Sequence, residues 1–433
     1  MKNIQEHEKY FQNKKLLLKE VINASTKTKY GRENKIGLYP IKTYEDFCKL
    51  PLSDSKMLSE LPIIFVCGKI NNFLCHCTSG TTGHLKEIYH DQPNRLNPFP
   101  KSATKTLSQT KNLIFLCGEG RKANYWWFDF MFKKYFPHIK TFYHNDTADF
   151  VVELAQHGDS IFMADSVSFL KCAINLLEEE LKKNKSLKDK LKKKIVYACA
   201  TGDKMTIKEL KDIYIKLKNI FSVQKPLLVS TYGLTETQFV GLNVFEEKMR
   251  KIRYRVTDLK FVEVIDKESK KPTFGDKGEI VITSLGWITG TVLPRYRTGD
   301  IGIMKFKDGI PYLEVDGKEA SAGHLRFRQV LIDIPGTTNR IKKKFKVPIH
   351  LKSQIIRNNK TMHETLSFVI HSPAFNDKNL QGCVKDFVEV IIPERKTILL
   401  WGIKNNLCKI DVKLSSRPSN MVKDWKILPL KII

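Results

Sequence analysis

Residues 195–236 read IVYACATGDKMTIKELKDIYIKLKNIFSVQKPLLVSTYGLTE, and the spacing of their apolar positions changes twice along the way. Ile195 to Ala200 forms a short apolar run that ends in the turn Thr201-Gly202-Asp203, the pattern of a buried strand. Thr206 and Glu209 then have the spacing of a capping box. Behind them Leu210, Ile213, Leu217 and Ile220 recur at i, i+3, i+7 and i+10, one apolar stripe on a helix that faces a sheet. Leu227 to Thr231 is the next strand. A strand, a helix and a strand at this spacing need a crossover, and such crossovers are right-handed and build a parallel sheet.

The same alternation extends upstream. Ser160 to Ala164 reads as a strand and Val167 to Lys183 as a helix, while Ile139 to Tyr143 followed by Phe150 to His157 makes one more unit. From Tyr254 the texture shifts to shorter β pieces, Phe261 to Ile265, Gly278 to Thr283 and Ile301 to Phe306, with turns such as Lys307-Asp308-Gly309. The tail mixes strands (Phe387 to Ile392, Thr397 to Gly402, Lys409 to Leu414) with a helix or two. The expectation is an α/β chain. A large N-terminal domain, residues 1–312, would carry doubly wound, mostly parallel sheets and a β-barrel-like subdomain, and residues 313–433 would form a small α+β domain.

Composition narrows the class. With 433 residues and 42% hydrophobic residues the chain has material for more than one core, which excludes intrinsic disorder. The nine cysteines are odd in number and follow no framework, so they read as reduced thiols of a cytoplasmic protein. Met1 to Lys15 is polar, and no apolar stretch approaches the ~20 residues of a membrane span. The 74 Lys plus Arg against 46 Asp plus Glu leave a net charge of +28, which can attract nucleotides, nucleic acid or anionic lipid without choosing among them. Most of the excess is lysine spread along the whole chain. Its densest run, Leu181 to Lys194, continues the helical pattern of Leu170, Ile174 and Leu177, as a solvated helix face does.

Three segments carry chemistry. Thr78-Ser79-Gly80-Thr81-Thr82-Gly83, with Lys86 behind it, combines two glycines that admit close backbone approach, four hydroxyls and a cation, the ingredients for cradling a polyphosphate. The Walker pattern is absent, and a hexapeptide of this kind alone is equally compatible with an ordinary loop. Ser230-Thr231-Tyr232-Gly233-Leu234-Thr235-Glu236 follows a strand end, as does Gly202-Asp203, and in open parallel sheets ligands bind outside the carboxyl ends of strands. Leu293-Pro294-Arg295-Tyr296-Arg297-Thr298-Gly299-Asp300 precedes another strand. Taken singly, Glu236 could be a helix first-turn residue, Tyr232 a core aromatic and Asp300 a turn residue. The Gly202-Asp203 turn and the Tyr232 to Glu236 turn lie at strand ends on adjacent members of one βαβ unit, and that convergence argues for a nucleotide cleft.

The order T-S-G-T-T-G, T-G-D, Y-G-L-T-E, G-E-I-V-I-T, Y-R-T-G-D resembles the adenylate-forming (AMP-binding) superfamily, most closely its phenylacetate-CoA ligase and CapK-like branch. The segment Phe47 to Lys56 adds to that resemblance, which covers roughly residues 40 to 306. It implies an ATP- and magnesium-dependent ligase with a small mobile C-terminal domain. A carboxylate attacks the α-phosphate of ATP, pyrophosphate leaves, and a thiol, coenzyme A first among them, or an amine displaces AMP from the acyl-adenylate. On the matching positions, Thr78 to Gly83 with Lys86 would wrap the β- and γ-phosphates and Glu236 would hold magnesium. Tyr232, flanked by Thr231 and Gly233, would stack on adenine, with Gly202 and Asp203 lining the same pocket. Thr235 would contact the α-phosphate and Asp300 would accept the ribose hydroxyls. Chemistry of this type rests on positioning and charge neutralisation, which these residue types supply.

The chain also departs from the family pattern. The Gly-Arg-x-x-Asp hinge stretch has no clear counterpart, Tyr312 to Leu325 lying in its place without the arginine. Lys423 is the best match to the lysine that bridges carboxylate and α-phosphate, yet the customary preceding glycine is missing. No Cys or His lies between Gly241 and Tyr296, where several relatives bind zinc, and Cys75-His76-Cys77 alternates on a strand in a way unlike chelating pairs. Asn124 to Phe130 falls where the branch builds its acyl pocket, but an aromatic run of this kind is also ordinary core. The acceptor could instead be a carrier-protein phosphopantetheine or an amine. From a different class, a basic nucleic-acid-binding protein would use the lysine surplus, although no aromatic-basic clusters or binding module support it.

Overall fold

The computed structural model describes residues 2–38, 40–70, 73–77, 86–90, 104, 107–116, 129, 132–144, 147–157, 160–164, 167–183, 186, 189, 191, 196–200, 206–286, 288–318, 324–327, 330–333, 337, 339–340, 343, 350–357, 364–371, 408–415 and 431–432. The chain divides into two compact units, one made of Met1–Cys117 and Lys122–Glu319, the other of Gly118–Arg121 and Ala320–Ile433.

In the larger unit, strands β1 (Val66–Cys67), β2 (Leu74–Cys77) and β3 (Glu87–His90) join the later β13 (Gly290–Thr291) in a small sheet of order β1-β13-β3-β2. Among the described residues the main sheet has eleven strands. Its parallel half comprises β4 (Asn112–Leu116), β5 (Lys140–His144), β6 (Ser160–Ala164), β7 (Val196–Ala200) and β8 (Leu227–Leu234), in the order β5-β4-β6-β7-β8. The chain reaches β5 on one side of β4 and β6 on the other, so the winding reverses there, as in doubly wound sheets. The helix Val167–Lys183 has the expected bounds, and the helix Thr147–Gln156 precedes β6. In the helix Ile207–Phe221 the Thr206 side chain accepts from the Glu209 N–H and Glu209 accepts in return. Its stripe Leu210, Ile213, Leu217 and Ile220 is buried, as the spacing requires.

The antiparallel half is hydrogen-bonded into the same sheet. Strands β9 (Gln238–Val244), β10 (Tyr254–Val256), β11 (Lys260–Ile265), β12 (Gly278–Ser284), β14 (Tyr296–Lys307) and β15 (Ile310–Lys318) continue it in the order β8-β9-β10-β15-β14-β12-β11. The β14–β15 hairpin closes through the two-residue loop Asp308-Gly309, with φ of 53° and 73°. Two positive values of this kind match the twist of the flanking strands, which is why an Asp-Gly pair stands there. β15 carries the larger unit on to Glu319.

An element that the sequence reading passed over is the helix Lys2–Thr26. Its Tyr10, Phe11, Leu18, Val21 and Ile22 enter a core with Tyr44, Phe47, Phe65 and Phe261. Tyr10 Oη donates to the Lys260 carbonyl at 2.9 Å and ties that helix to the edge strand β11. The apolar stripe was present in the sequence but diluted by lysines on the wet face. Among the described residues no helix is long and apolar enough to cross a membrane.

Lys260 is buried on β11, where its Nζ donates to Ser284 Oγ at 2.9 Å on the neighbouring β12. Burial alone lowers its pKa from 10.5 to about 7. Between those values the unfolded chain holds a proton that the folded chain does not. Stability should therefore climb with pH from about 7 to about 10, by at most ~1.4 kcal/mol per unit, and level off below pH 7. Lys260→Met should remove that slope. Urea midpoints measured across this range for both proteins check it, and parallel profiles would refute it.

The smaller unit contains the hairpin β16 (His324–Phe327) with β17 (Val330–Asp333). It also contains a sheet of order β20-β19-β18-β21, built from β18 (His350–Arg357), β19 (Glu364–His371), β20 (Cys408–Ser415) and β21 (Lys431–Ile432). The expected strand Lys409 to Leu414 falls within β20, and the expected Phe387 to Ile392 and Thr397 to Gly402 lie outside the described residues.

Candidate nucleotide site

β8 runs three residues past the expected end at Thr231, because β9 folds back on it antiparallel and pairs Thr231 with Leu242 and Tyr232 with Gly241. The ladder shifts at Tyr232 and Gly233. A Cβ at Gly233 would lie 2.5 Å from the Gln238 carbonyl oxygen, so only glycine fits there. The turn that remains holds Thr235 and Glu236 at its tip, next to the Gln238 backbone at φ 55°.

Thr78, Ser79, Gly80, Thr81, Thr82 and Gly83 lie outside the described residues, but the strands that flank them, β2 and β3, pair antiparallel with Cys77 opposite Glu87. Lys86 enters β3 beside that pair. Its Nζ donates to Glu236 Oε1 at 2.5 Å, and Lys86 is 3% exposed and Glu236 5%. Gln238 Nε2 lies 3.1 Å from His90 Nδ1, a second link between β3 and the β8–β9 hairpin. Burial by itself would raise the pKa of Glu236, but the Lys86 ammonium, with help from Tyr296, overrides it and holds the carboxyl below its usual range. Glu236 is an anion.

Tyr296 Oη donates to the same Glu236 Oε1 at 3.0 Å, and Tyr232 Oη donates to Asp300 Oδ2 at 2.8 Å. The segments 232–236 and 296–300 therefore exchange one phenol–carboxylate hydrogen bond in each direction, with residue 232 facing 300 and 236 facing 296. Burial first, and the adjacent carboxylate second, push both phenols well above the ordinary tyrosine value, so each remains a donor.

The 295–300 segment is held from behind by residues to which the sequence reading gave no role. Arg295 and Glu263 are each 1% exposed and form a two-pronged pair, Nε to Oε2 at 3.1 Å and Nη2 to Oε1 at 3.1 Å. Arg295 Nη1 also donates to the carbonyls of Leu50, at 2.6 Å, and of Cys48. Arg297 donates to Glu279 Oε2 at 2.6 and 3.0 Å, the Gly299 N–H reaches Glu279 Oε1 at 3.2 Å, and Gly299 adopts φ 72°. Thr283 Oγ1 accepts from the Arg295 N–H at 3.0 Å. The Gly278 to Thr283 stretch is thus the scaffold of the Tyr296 to Asp300 segment. Its single acid Glu279, with Glu263 on the apolar strand β11, was the available signal.

Of the residues expected at the site, the structure brings together Lys86, Tyr232, Glu236 and Asp300, with Thr231, Gly233 and Thr235 on the same hairpin. Gly202 and Asp203 lie outside the described residues, and the last described pair of β7 with β8 sets Ala200 opposite Ser230. Lys423 lies outside them too. In the aromatic run 124–130 only Asp129 is described, and it accepts from Lys133 at 2.7 Å and from Thr141. Among the described residues Glu236 belongs to no group of three or more His, Cys, Asp or Glu side chains able to hold a metal ion. One anionic oxygen ligand suits magnesium, which takes one or two carboxylates and completes its shell with water and substrate phosphates.

No protein-family model matches the chain, and no curated protein matches it. Solved structures do. 2-Hydroxyisobutyryl-CoA ligase in complex with 2-HIB-AMP and CoA, in the thioesterification state, aligns at 12% identity with a TM-score of 0.66 over 97% of this chain and 90% of that one. The same ligase in the postadenylation state with 2-HIB-AMP aligns at 12% identity and a TM-score of 0.52 over 98% and 89%. The amide bond synthetase McbA from Marinactinospora thermotolerans aligns at 12% identity and a TM-score of 0.52 over 80% and 66%. The chain has the fold of these adenylate-forming enzymes.

Proposed function

We propose that this chain is an ATP-dependent carboxylate-activating ligase of the adenylate-forming superfamily, from its phenylacetate-CoA ligase and CapK-like branch. It converts a small carboxylic acid and ATP to an acyl-adenylate and pyrophosphate, then transfers the acyl group to a thiol, coenzyme A, in the cytoplasm. The observation that carries the reading is the paired arrangement of Tyr232 with Asp300 and Tyr296 with Glu236, which sets two carboxylates on adjoining segments at the end of a parallel sheet. Asp300, with Oδ2 already accepting from Tyr232, is a suitable acceptor for a vicinal diol such as ribose. Glu236 would hold magnesium, which supplies charge neutralisation at the phosphates. Lys86 and the Thr78 to Gly83 segment would receive the β- and γ-phosphates, Thr235 the α-phosphate, and Tyr232 with Gly202 and Asp203 the adenine.

Carboxylate-dependent ATP–pyrophosphate exchange across aromatic, fatty and amino acids tests the first half-reaction, and failure with every acid would sink it. Adding CoA, a carrier protein or an amine to an active acid names the acceptor. CoA and an amine are the acceptors suggested by the two fold relatives, the CoA ligase and the amide bond synthetase. Lys423 is proposed as the cation of the first step. Lys423→Ala should lose exchange while hydrolysis of preformed acyl-adenylate is largely retained, and equal loss of both would remove that role.

A further inference from the structure

Glu236 is neutralised from within the chain. Lys86 Nζ lies 2.5 Å from its Oε1, Tyr296 Oη donates to the same oxygen at 3.0 Å, and all three residues are buried. A divalent cation that approaches this carboxylate alone meets an ammonium a few ångströms away. In a buried site, with an effective dielectric far below that of water, that repulsion is screened far less than in solution. The bare ion would add two positive charges to a pair that already sums to zero, and it would give up hydration for a single shared carboxylate. A cation that arrives with phosphates is different, because the phosphates offer the ammonium a new anionic partner as the cation takes over Glu236.

We propose that Lys86 is the resident counter-ion of Glu236, that it moves from the carboxylate to the incoming phosphates, and that the site accepts a divalent cation only as its nucleotide complex. This inference rests on the ATP-binding reading above. It assigns to Lys86 two successive partners, and so makes metal and nucleotide binding obligatorily coupled.

The test is binding of Mn2+ to the full chain, followed by the paramagnetic resonance of the free ion, with and without a non-hydrolysable ATP analogue. In the wild type, Mn2+ binding that is lost in Glu236→Gln should be present only with the analogue. Lys86→Met should acquire Mn2+ binding without nucleotide, tighter than the wild type by about tenfold or more, and Lys86→Met combined with Glu236→Gln should lose it. The wild-type arm stands by itself should Lys86→Met not accumulate folded. Analogue binding accompanied by Glu236-dependent Mn2+ binding that is equally strong without it overturns the inference and leaves the ATP reading standing. Absence of analogue binding at any Mn2+ concentration overturns both.

Discussion

Glu236→Gln is expected to lower ATP–pyrophosphate exchange by a factor of about 10³ while the protein stays folded. Glutamine keeps the shape and leaves a carbonyl oxygen to accept from Lys86 Nζ and Tyr296 Oη, which now reach Glu236 Oε1 at 2.5 and 3.0 Å. What it removes is the negative charge, the property that a phosphate-bound cation requires. Glu236→Ala should lose exchange as fully, but it also takes the Glu236 carboxylate away from the Lys86 ammonium, which is 3% exposed, and the loss of one partner from a buried pair costs about 3–5 kcal/mol. The glutamine variant is therefore the cleaner measurement. Initial rates of exchange at saturating acid, with circular dichroism to confirm folding, decide the matter. A Glu236→Gln protein within about threefold of wild type would exclude a charge-dependent role for this carboxylate.

Glu263→Ala should destabilise the protein by about 3–5 kcal/mol and weaken ATP binding at temperatures where the variant is still folded. Both prongs of Arg295 rest on Glu263, at 3.1 Å each, and both side chains are almost wholly inaccessible. Without the carboxylate, the guanidinium keeps the carbonyls of Cys48 and Leu50 and the face of the Phe47 ring, 5.8 Å away. Burial acts to lower the pKa of Arg295 and the Glu263 carboxylate more than offsets that, so the guanidinium is held above its usual range. Arg295 sits at φ 47° immediately before Tyr296, and the Ser53 and Arg297 backbones bridge across it, Ser53 N–H to the Arg295 carbonyl at 3.2 Å and Arg297 N–H to the Ser53 carbonyl at 2.8 Å. A loosened Arg295 should thus be felt at Tyr296 and Asp300. The double replacement Glu263→Leu with Arg295→Met should recover most of the lost stability, because an apolar pair avoids the desolvation that the ion pair bears. Denaturant midpoints for the two single variants and the double close the cycle, and simple additivity would show that the two side chains are not coupled.

Local pattern made the middle of the chain legible. The bounds of β6 and of the helix Val167–Lys183 coincide with the apolar runs, and the Thr206–Glu209 capping box forms as its spacing requires. These features depend on neighbours within a few residues, which a sequence displays directly. The prolongation of β8 to Leu234 was not legible, since it needs β9 to return and supply the antiparallel partner. Nor was the N-terminal helix, whose buried Tyr10, Phe11, Leu18, Val21 and Ile22 count as a stripe only once Phe47, Phe65 and Phe261 stand opposite.

At the site, residue types and their order in the chain were enough to nominate Lys86, Tyr232, Glu236 and Asp300 as one group. They could not say that Lys86 would rest on Glu236, 150 positions away, or that Tyr296 would donate to that same oxygen across 60. A buried charge takes whichever partner the fold delivers to it, and the cost of leaving it unpaired makes that choice binding. The amino-acid sequence by itself therefore determined the elements and the chemistry on offer. Which carboxylate is already neutralised, by which cation, and how the Tyr296 to Asp300 segment is held from behind were decided by packing between strands far apart in the chain, where desolvation acts on neighbours in space and not in sequence.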